Sequence, residues 1–166
     1  RGPRGHTPGR LQSTTAYAYR LTNNRQRAQM HMVTNPLDTS TLQGRFDGYP
    51  IRRGHTRVKE LLTAGVNVCI GHDSVMDPWY PLGKGDPLQS AFVLAHYAQM
   101  SGHSELLSLI DMITTNPALA LGLEGYGLAN GDRADLVVFA APTAMAAIRP
   151  LAPPRLVLGA GRVVGR

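Results

Sequence analysis

An aspartate placed just after an apolar segment is the clearest candidate for a reactive side chain in this sequence. Val66, Val68 and Ile70 alternate with small or polar residues, and Asp73 continues the small and polar side of that alternation. A carboxylate at the end of a strand can transfer a proton or bind a metal ion. The structural alternative is that Asp73 only caps the turn that follows the strand.

The loop after Asp73 carries Trp79, the only tryptophan of the chain, between Pro78 and Pro81. Each proline fixes its own backbone φ, so the loop that presents the indole ring is stiff. An indole ring beside a carboxylate can form one wall of a pocket for a flat substrate. The structural alternative is that Trp79 fills a hydrophobic core.

The elements that position these residues follow from the apolar periodicity on either side of them. The pattern predicts short strands at residues 32–34 and 66–71, and Asn35 after the first strand is expected near the mouth of the site. A helix is predicted between these strands at residues 56–64, with Thr56 as N-cap and Gly65 at its end. Further helices are predicted at residues 16–30, 87–101, 104–113 and 115–121.

Composition and charge limit the classes of protein to consider. Of the 166 residues, 43% are hydrophobic and 17% are charged, as in globular proteins. No apolar run approaches the about 20 residues that a membrane helix needs, so no membrane partner is expected. The single cysteine, Cys69, gives no disulfide framework and fits a reducing compartment, which favours the cytoplasm. A net charge of +6 invites a nucleic-acid partner, but no nucleic-acid motif accompanies it, so this partner is disfavoured.

Several segments resemble the bacterial cytosine deaminases, which are members of the amidohydrolase superfamily. The matching segments are GHDSVMDPWYPLG at residues 71–83, NPL at 35–37, LQGRFDGYPIRRG at 42–54 and TRVKELLTAGVNVC at 56–69. The first of these resembles the eighth-strand segment of the family. GHT at residues 5–7 falls where the family has its sixth-strand histidine. The resemblance implies an α/β fold in which residues 1–123 form the C-terminal part, about strands six to eight, of a metal-dependent (β/α)8 TIM barrel.

A second resemblance covers the end of the chain. GLANGDRADLVVF at residues 127–139 is similar to a signature at the ends of amidohydrolases, where the chain leaves the barrel for a small β-sandwich. It implies that residues 124–166 contribute strands to such a sandwich. The signature predicts a tight turn at Asn130-Gly131 closed by Asp135, then a buried strand at residues 136–139. Residues 156–158 and 162–164 are predicted to form a terminal hairpin.

The resemblance also implies roles for individual residues. Asp73 and His6 would be catalytic, with Asp73 as a ligand of a divalent iron or zinc ion. Trp79, Ser74 and His6 would bind the substrate. The implied activity is hydrolytic deamination of cytosine or a related aminopyrimidine by a metal-activated water.

The other metal ligands of that family come from a His-x-His pair and from a histidine that is followed three residues later by a glutamate. Neither pattern occurs in this sequence. We therefore expect the C-terminal part of a longer enzyme, inactive in isolation and homo-oligomeric when complete. A different family of deaminases uses a zinc site with at least two cysteines, and the single Cys69 excludes it.

Ser74 leaves the identity of the substrate open. The best-known bacterial cytosine deaminases carry a second aspartate at this position. A hydroxyl both donates and accepts hydrogen bonds, whereas a carboxylate only accepts, so the ring edge that it meets can differ. Isocytosine, or another cyclic amidine or amide, is therefore an alternative substrate. The remaining alternatives are an inactive remnant and a basic module that binds nucleic acid.

Overall fold

The computed structural model describes residues 31–51 and 54–165. The predictions for His6 and for a helix at residues 16–30 concern residues outside these ranges. The elements of the described part are, in chain order, β1 (Met32–Thr34), α1 (Pro36–Leu42), α2 (Val58–Thr63), β2 (Val68–Ile70), α3 (Pro87–Tyr97), α4 (His103–Ile113), α5 (Thr115–Ala120), β3 (Leu136–Phe139), α6 (Ala144–Ile148), β4 (Pro154–Gly159) and β5 (Arg162–Gly165).

Strands β1 and β2 pair in parallel, with Val33 opposite Cys69. The ladder ends with the N–H of Gly71 donating to the carbonyl of Thr34 at 2.8 Å. Both strands therefore end at the same edge, and the residues that follow them meet there. Strand β2 is shorter than the predicted 66–71, because the N–H of Val66 donates to the carbonyl of Leu61 at the end of α2 instead of joining the ladder.

One hydrophobic core lies between β2 and the helices that follow it. Leu94 of α3 and Leu109 of α4 are both fully buried against this strand and against α6. Complete burial of a leucine contributes about 1.5–3 kcal/mol relative to an exposed one. The largest buried apolar side chains of the core are Leu88, Leu94, Met100, Leu109, Met112, Ile148, Val58 and Val68. Packing of these helices fixes β2, and with it the segment that carries Asp73.

The start of α2 differs from the prediction. The helix begins at Val58 after Arg57, and Thr56 is not its N-cap. The Thr56 hydroxyl instead accepts a hydrogen bond from the hydroxyl of Thr34 on β1 at 3.0 Å, so a tertiary contact has taken the oxygen that would cap the helix. The predicted end is confirmed, because Gly65 adopts a left-handed φ of 72° directly after the helix.

Helices α3, α4 and α5 confirm the three predicted ones, although α3 stops at Tyr97 rather than at residue 101. Gln99 takes a left-handed φ of 54° there, which ends the helix. Helices α1 and α6 were not predicted. They have seven and five residues, too few for an apolar period to repeat. Within the described ranges, no helix has the length and apolar character needed to cross a membrane.

Strands β3, β4 and β5 form an antiparallel sheet in that order. The predicted terminal hairpin is confirmed as β4 and β5, with left-handed Ala160 and Gly161 in its turn. The prediction that strand β3 is buried is wrong, since Val137 and Val138 are 51% and 47% exposed. Strand β3 belongs to a sheet that no other described element covers at these positions.

The turn before β3 is also closed differently from the prediction. The carboxylate of Asp132 accepts from the N–H of Ala129 at 2.9 Å and closes the turn around Gly131. Asp135 instead accepts from the N–H of Ala160 at 2.6 Å, and so caps the β4–β5 hairpin. The carboxylate predicted to act locally acts on a partner 25 residues away, a contact that local turn chemistry does not encode.

Candidate active site

The shared edge of β1 and β2 brings together side chains that are far apart in the sequence. The amide nitrogen of Asn35 donates to Oδ2 of Asp73 at 3.2 Å, as expected for a residue near the mouth of the site. Gly71 makes room for this contact, because a Cβ there would overlap Oδ1 of Asn35 and Cγ1 of Val33. Gly71 therefore allows the Asn35 amide to lie across the end of β2.

Asp73 is exposed and leaves the strand through an unusual backbone conformation. Its φ is 67°, in the left-handed region that aspartate enters more readily than most residues. The backbone is held on both sides, by the bond from Gly71 N–H to Thr34 at 2.8 Å and by the bond from Ser74 N–H to Asp38 at 3.1 Å. The carboxylate is thus directed outward from a fixed turn.

Behind Asp73 lies a second carboxylate, Asp38, in the first turn of α1. It is only 4% exposed. Its Oδ2 accepts from the N–H of Ser74, whereas its Oδ1 has no hydrogen-bond partner among the described residues. Burial raises the pKa of the Asp38 carboxyl, the hydrogen bond from Ser74 lowers it, and the neighbouring Asp73 carboxylate raises it further. The net result is a pKa above that of an ordinary aspartate.

Sequence analysis did not identify Asp38, which lies in the polar stretch PLDTSTL of α1. One feature of the sequence indicated Asp38, namely its position. It lies three residues beyond Asn35, and Asn35 directly follows β1, the strand parallel to β2. Nothing in the local sequence shows that its carboxylate reaches Ser74, 36 residues further along the chain.

Ser74 lies behind Asp73 rather than in the open part of the site. It is 8% exposed, and its backbone N–H donates to Oδ2 of Asp38 at 3.1 Å. Its backbone carbonyl is within 2.9 Å of Nδ1 of His72. A substrate in front of Asp73 would meet the Ser74 side chain over only a small area.

The loop after Ser74 carries two adjacent aromatic side chains, of which Tyr80 is buried and Trp79 is exposed. Oδ1 of Asp77 accepts from the backbone N–H groups of Trp79 and Tyr80, each at 2.9 Å, and these bonds lower its pKa, that from Tyr80 most. Tyr80 is 4% exposed, but Trp79 is 69% exposed. The indole of Trp79 therefore does not fill a core formed by the described residues.

His72 fastens this loop to the strand. Its Nε2 accepts from the N–H of Gly85 at 3.2 Å, so that nitrogen carries no proton and Nδ1 donates to the carbonyl of Ser74. Gly83 passes close to the same atoms, since a Cβ on it would lie 2.5 Å from the Ser74 carbonyl oxygen and 2.6 Å from the histidine ring. A side chain at position 83 would push the loop away from Asp73.

Asp73 is the residue at this edge that could hold a metal ion. The exposed carboxylate of Asp73 is a suitable ligand for zinc or iron. Within residues 31–51 and 54–165, no group of three or more His, Cys, Asp or Glu side chains is placed to hold an ion. Asp73 therefore fits as one ligand, and further ligands must come from outside the described ranges.

Comparisons with known proteins find similar sequences and structures. A sequence profile of the Amidohydrolase family matches residues 3–164. The pterin deaminase of Rhizobium rhizogenes is 32% identical over 145 residues, which are 84% of this chain and 32% of that protein. The N-isopropylammelide isopropyl amidohydrolase of a Pseudomonas species is 34% identical over 108 residues, which are 64% of this chain and 27% of that protein.

Two solved structures are also similar. The 5-methylcytosine deaminase of Klebsiella pneumoniae, solved with 5-fluorocytosine, superposes with a TM-score of 0.84 at 38% identity, over 92% of this chain and 37% of that chain. The N-isopropylammelide isopropylaminohydrolase of Burkholderia multivorans gives a TM-score of 0.75 at 28% identity, over 88% and 34% of the two chains. This chain spans about a third of the length of these relatives. Since the family profile matches nearly every residue, the chain belongs to the amidohydrolase family.

Proposed function

We propose that this chain is part of a metal-dependent hydrolase that deaminates cytosine or a related aminopyrimidine. The observation that carries the proposal is the exposed carboxylate of Asp73, directed outward by a left-handed turn at the joint end of two parallel strands. Membership of the amidohydrolase family and the similarity to a 5-methylcytosine deaminase solved with 5-fluorocytosine support it.

In this proposal β1 and β2 are the last two strands of a (β/α)8 barrel that includes residues 1–123. Their parallel pairing supports this assignment, as does the position of Asp73 at the C-terminal end of β2, where barrel enzymes place their active sites. Residues 124–166 would contribute the β3–β4–β5 sheet to a β-sandwich. The exposed valines of that sheet fit a surface covered by strands from elsewhere in a complete enzyme.

The described residues divide the chemistry of deamination among them. A bound divalent ion, zinc or iron, supplies hydroxide near neutral pH by lowering the pKa of a water. Asn35 donates a hydrogen bond to Oδ2 of Asp73. Oδ1 of Asp73 therefore remains available to hold the ion or to accept a proton from the attacking water. Trp79 would form a flat wall for the ring, and His6 would polarise or orient the oxygen on the carbon under attack. Ser74 would affect substrate choice from behind Asp73.

A second candidate is the hydrolysis of another cyclic amidine or amide, including isocytosine. Three relatives support this second candidate, because one is a pterin deaminase and two act on N-isopropylammelide. The neutral Ser74 behind Asp73 is compatible with ring edges other than that of cytosine.

The test is turnover by the full-length gene product loaded with zinc or with iron. Product formation is followed by mass spectrometry for cytosine, 5-methylcytosine, isocytosine, pterin and N-isopropylammelide. We expect the highest kcat/KM for an aminopyrimidine. Asp73→Asn should lower it by about 10²- to 10⁴-fold, because the amide cannot take the proton.

Asp111→Asn is the matched control, since it makes the same change on the exposed surface of α4 and should leave kcat/KM unchanged. A clear preference for pterin or N-isopropylammelide would favour the second candidate. Absence of turnover on every compound, or full activity of Asp73→Asn, would refute the proposed function.

A further inference from the structure

We propose that Asp38 is a positioning residue, which holds the Asp73 carboxylate in its working orientation by fixing the backbone of Ser74. The inference rests on the proposed function in one respect, because it takes Asp73 as the reactive group. The positioning itself is a statement about geometry and can be measured without turnover.

The first argument is the burial of Asp38. A carboxylate that is 4% exposed, with one oxygen lacking a partner among the described residues, is an unfavourable choice for stability alone. An apolar side chain of similar size would avoid both the desolvation and the unpaired oxygen. Polar groups of this kind concentrate at functional sites, and Asp38 lies directly behind the exposed carboxylate of Asp73.

The second argument is the backbone conformation that Asp38 supports. A left-handed φ of 67° at Asp73 is less favourable for a non-glycine residue than the strand conformation, so neighbouring contacts must hold it. Gly71 is bonded to β1 on one side of Asp73, and the N–H of Ser74 is bonded to Oδ2 of Asp38 on the other side. Removal of the Asp38 acceptor releases one of these two attachments.

The third argument is that both polar groups of the Ser74 backbone are held. Asp38 accepts from its N–H at 3.1 Å, and His72 donates to its carbonyl at 2.9 Å. The peptide groups on either side of Ser74 therefore cannot rotate freely, and Asp73 is attached directly to one of them. The same carbonyl faces Gly83, so the turn at Asp73 and the loop carrying Trp79 share this support.

The geometry requires an acceptor at position 38, not a charge. The oxygen of an asparagine amide can still accept a hydrogen bond from the Ser74 N–H, whereas alanine has no acceptor. Asp38→Asn and Asp38→Ala therefore separate positioning from charge. In the full-length gene product, Asp38→Ala should lower kcat by about 10²-fold with KM little changed, because a small misplacement of a reactive group slows the chemical step. Asp38→Asn should keep kcat close to the wild-type value.

The readout that does not depend on turnover is hydrogen exchange at the Ser74 amide, measured by mass spectrometry with fragmentation or by NMR. This amide should be protected in the wild type and in Asp38→Asn, and should exchange faster in Asp38→Ala. If the full-length protein shows no turnover but keeps this pattern, the proposed function fails and the positioning role stands. Turnover with unchanged Ser74 exchange in Asp38→Ala would overturn the positioning role alone.

Asp86→Ala is the control for loss of stability. Asp86 also accepts a backbone N–H, that of Leu88 at 2.9 Å, but at the start of α3 and not at Ser74. It should lower the melting temperature without changing kcat. The positioning role is refuted if Asp38→Asn loses as much kcat as Asp38→Ala, or if both retain the wild-type value.

Discussion

The strand-end site and the C-terminal sheet use their aspartates in opposite ways. In the sheet, Asp132 closes a turn by accepting from Ala129, and Asp135 caps a hairpin at 2.6 Å while pairing with Arg133 at 2.8 Å. At the strand end, Asp38 is buried with one oxygen unpaired within the described part of the chain, and Asp73 occupies a left-handed conformation.

The difference shows how structural and reactive carboxylates can be distinguished in one chain. A structural carboxylate has its oxygens bonded to backbone N–H groups or to a cation, and its removal costs stability. In the proposed function Asp73 is the reactive carboxylate, held in place through its neighbours while its Oδ1 stays available. Each region can be tested by asking whether a substitution changes stability, activity or both.

The largest expected effect is a difference in stability between substitutions of two adjacent aromatic residues, Tyr80 and Trp79, in the loop after Asp73. Tyr80→Ala should lower the free energy of unfolding by about 3 kcal/mol, because its ring is 4% exposed. Trp79→Ala should leave stability nearly unchanged, since its indole is 69% exposed, and should raise KM for the substrate about tenfold through loss of the ring wall. Urea unfolding and steady-state kinetics of the full-length gene product measure both.

Tyr80→Phe is the control, because it keeps the buried ring and should restore most of the stability lost in Tyr80→Ala. Equal losses of stability in Trp79→Ala and Tyr80→Ala would show that both rings are structural.

A smaller effect compares the carboxylates themselves. Asp135→Asn should lower the free energy of unfolding by about 1 kcal/mol, because it removes a charged acceptor from the Ala160 N–H and the pairing with Arg133. Asp73→Asn should cause no loss, since asparagine also tolerates a left-handed φ and no longer repels the Asp38 carboxylate. The urea midpoints of the two variants, measured side by side, give the comparison.

Activity should show the reverse order, with Asp135→Asn close to wild type. Loss of stability in Asp73→Asn as large as that in Asp135→Asn would remove the distinction between the two regions.

The smallest effect concerns a half-buried carboxylate outside both regions. Glu105 pairs with Lys59 at 2.7 Å and accepts from the N–H of Gly102 at 2.8 Å, and these contacts lower its pKa below the ordinary 4.5. A lowered folded-state pKa means that the stabilisation is present above pH 4.5 and is lost as the pH falls through the folded value. Wild type should therefore exceed Glu105→Gln in urea midpoint at neutral pH, and the gap should close as the pH falls below 4.5 and through the folded-state pKa. A gap that does not change with pH would contradict this assignment.

The sequence was sufficient for elements with a repeating pattern and insufficient for contacts between distant segments. Apolar periodicity located β1, α3, α4 and the terminal hairpin, and it correctly placed Asp73 just after a strand. The short helices α1 and α6 carry too few residues for a period, so they were missed.

The errors share one physical cause. Thr56, Asp135 and Asp38 are residue types that act locally in most turns and helix starts, and each is used here by a partner more than twenty residues away. Local propensity cannot show such contacts. Burial of strand β3 was wrong for a similar reason, because burial depends on what covers the sheet and not on the strand itself.

The crowding of carboxylates around Ser74 also constrains the order in which this site can change. An aspartate at position 74 would add a third negative charge beside Asp38 and Asp77 in a place that is 8% exposed. Such a substitution should be better tolerated once a neutral side chain has replaced the carboxyl of Asp38. We therefore expect the effect of a change at residue 74 to depend on the side chain at residue 38.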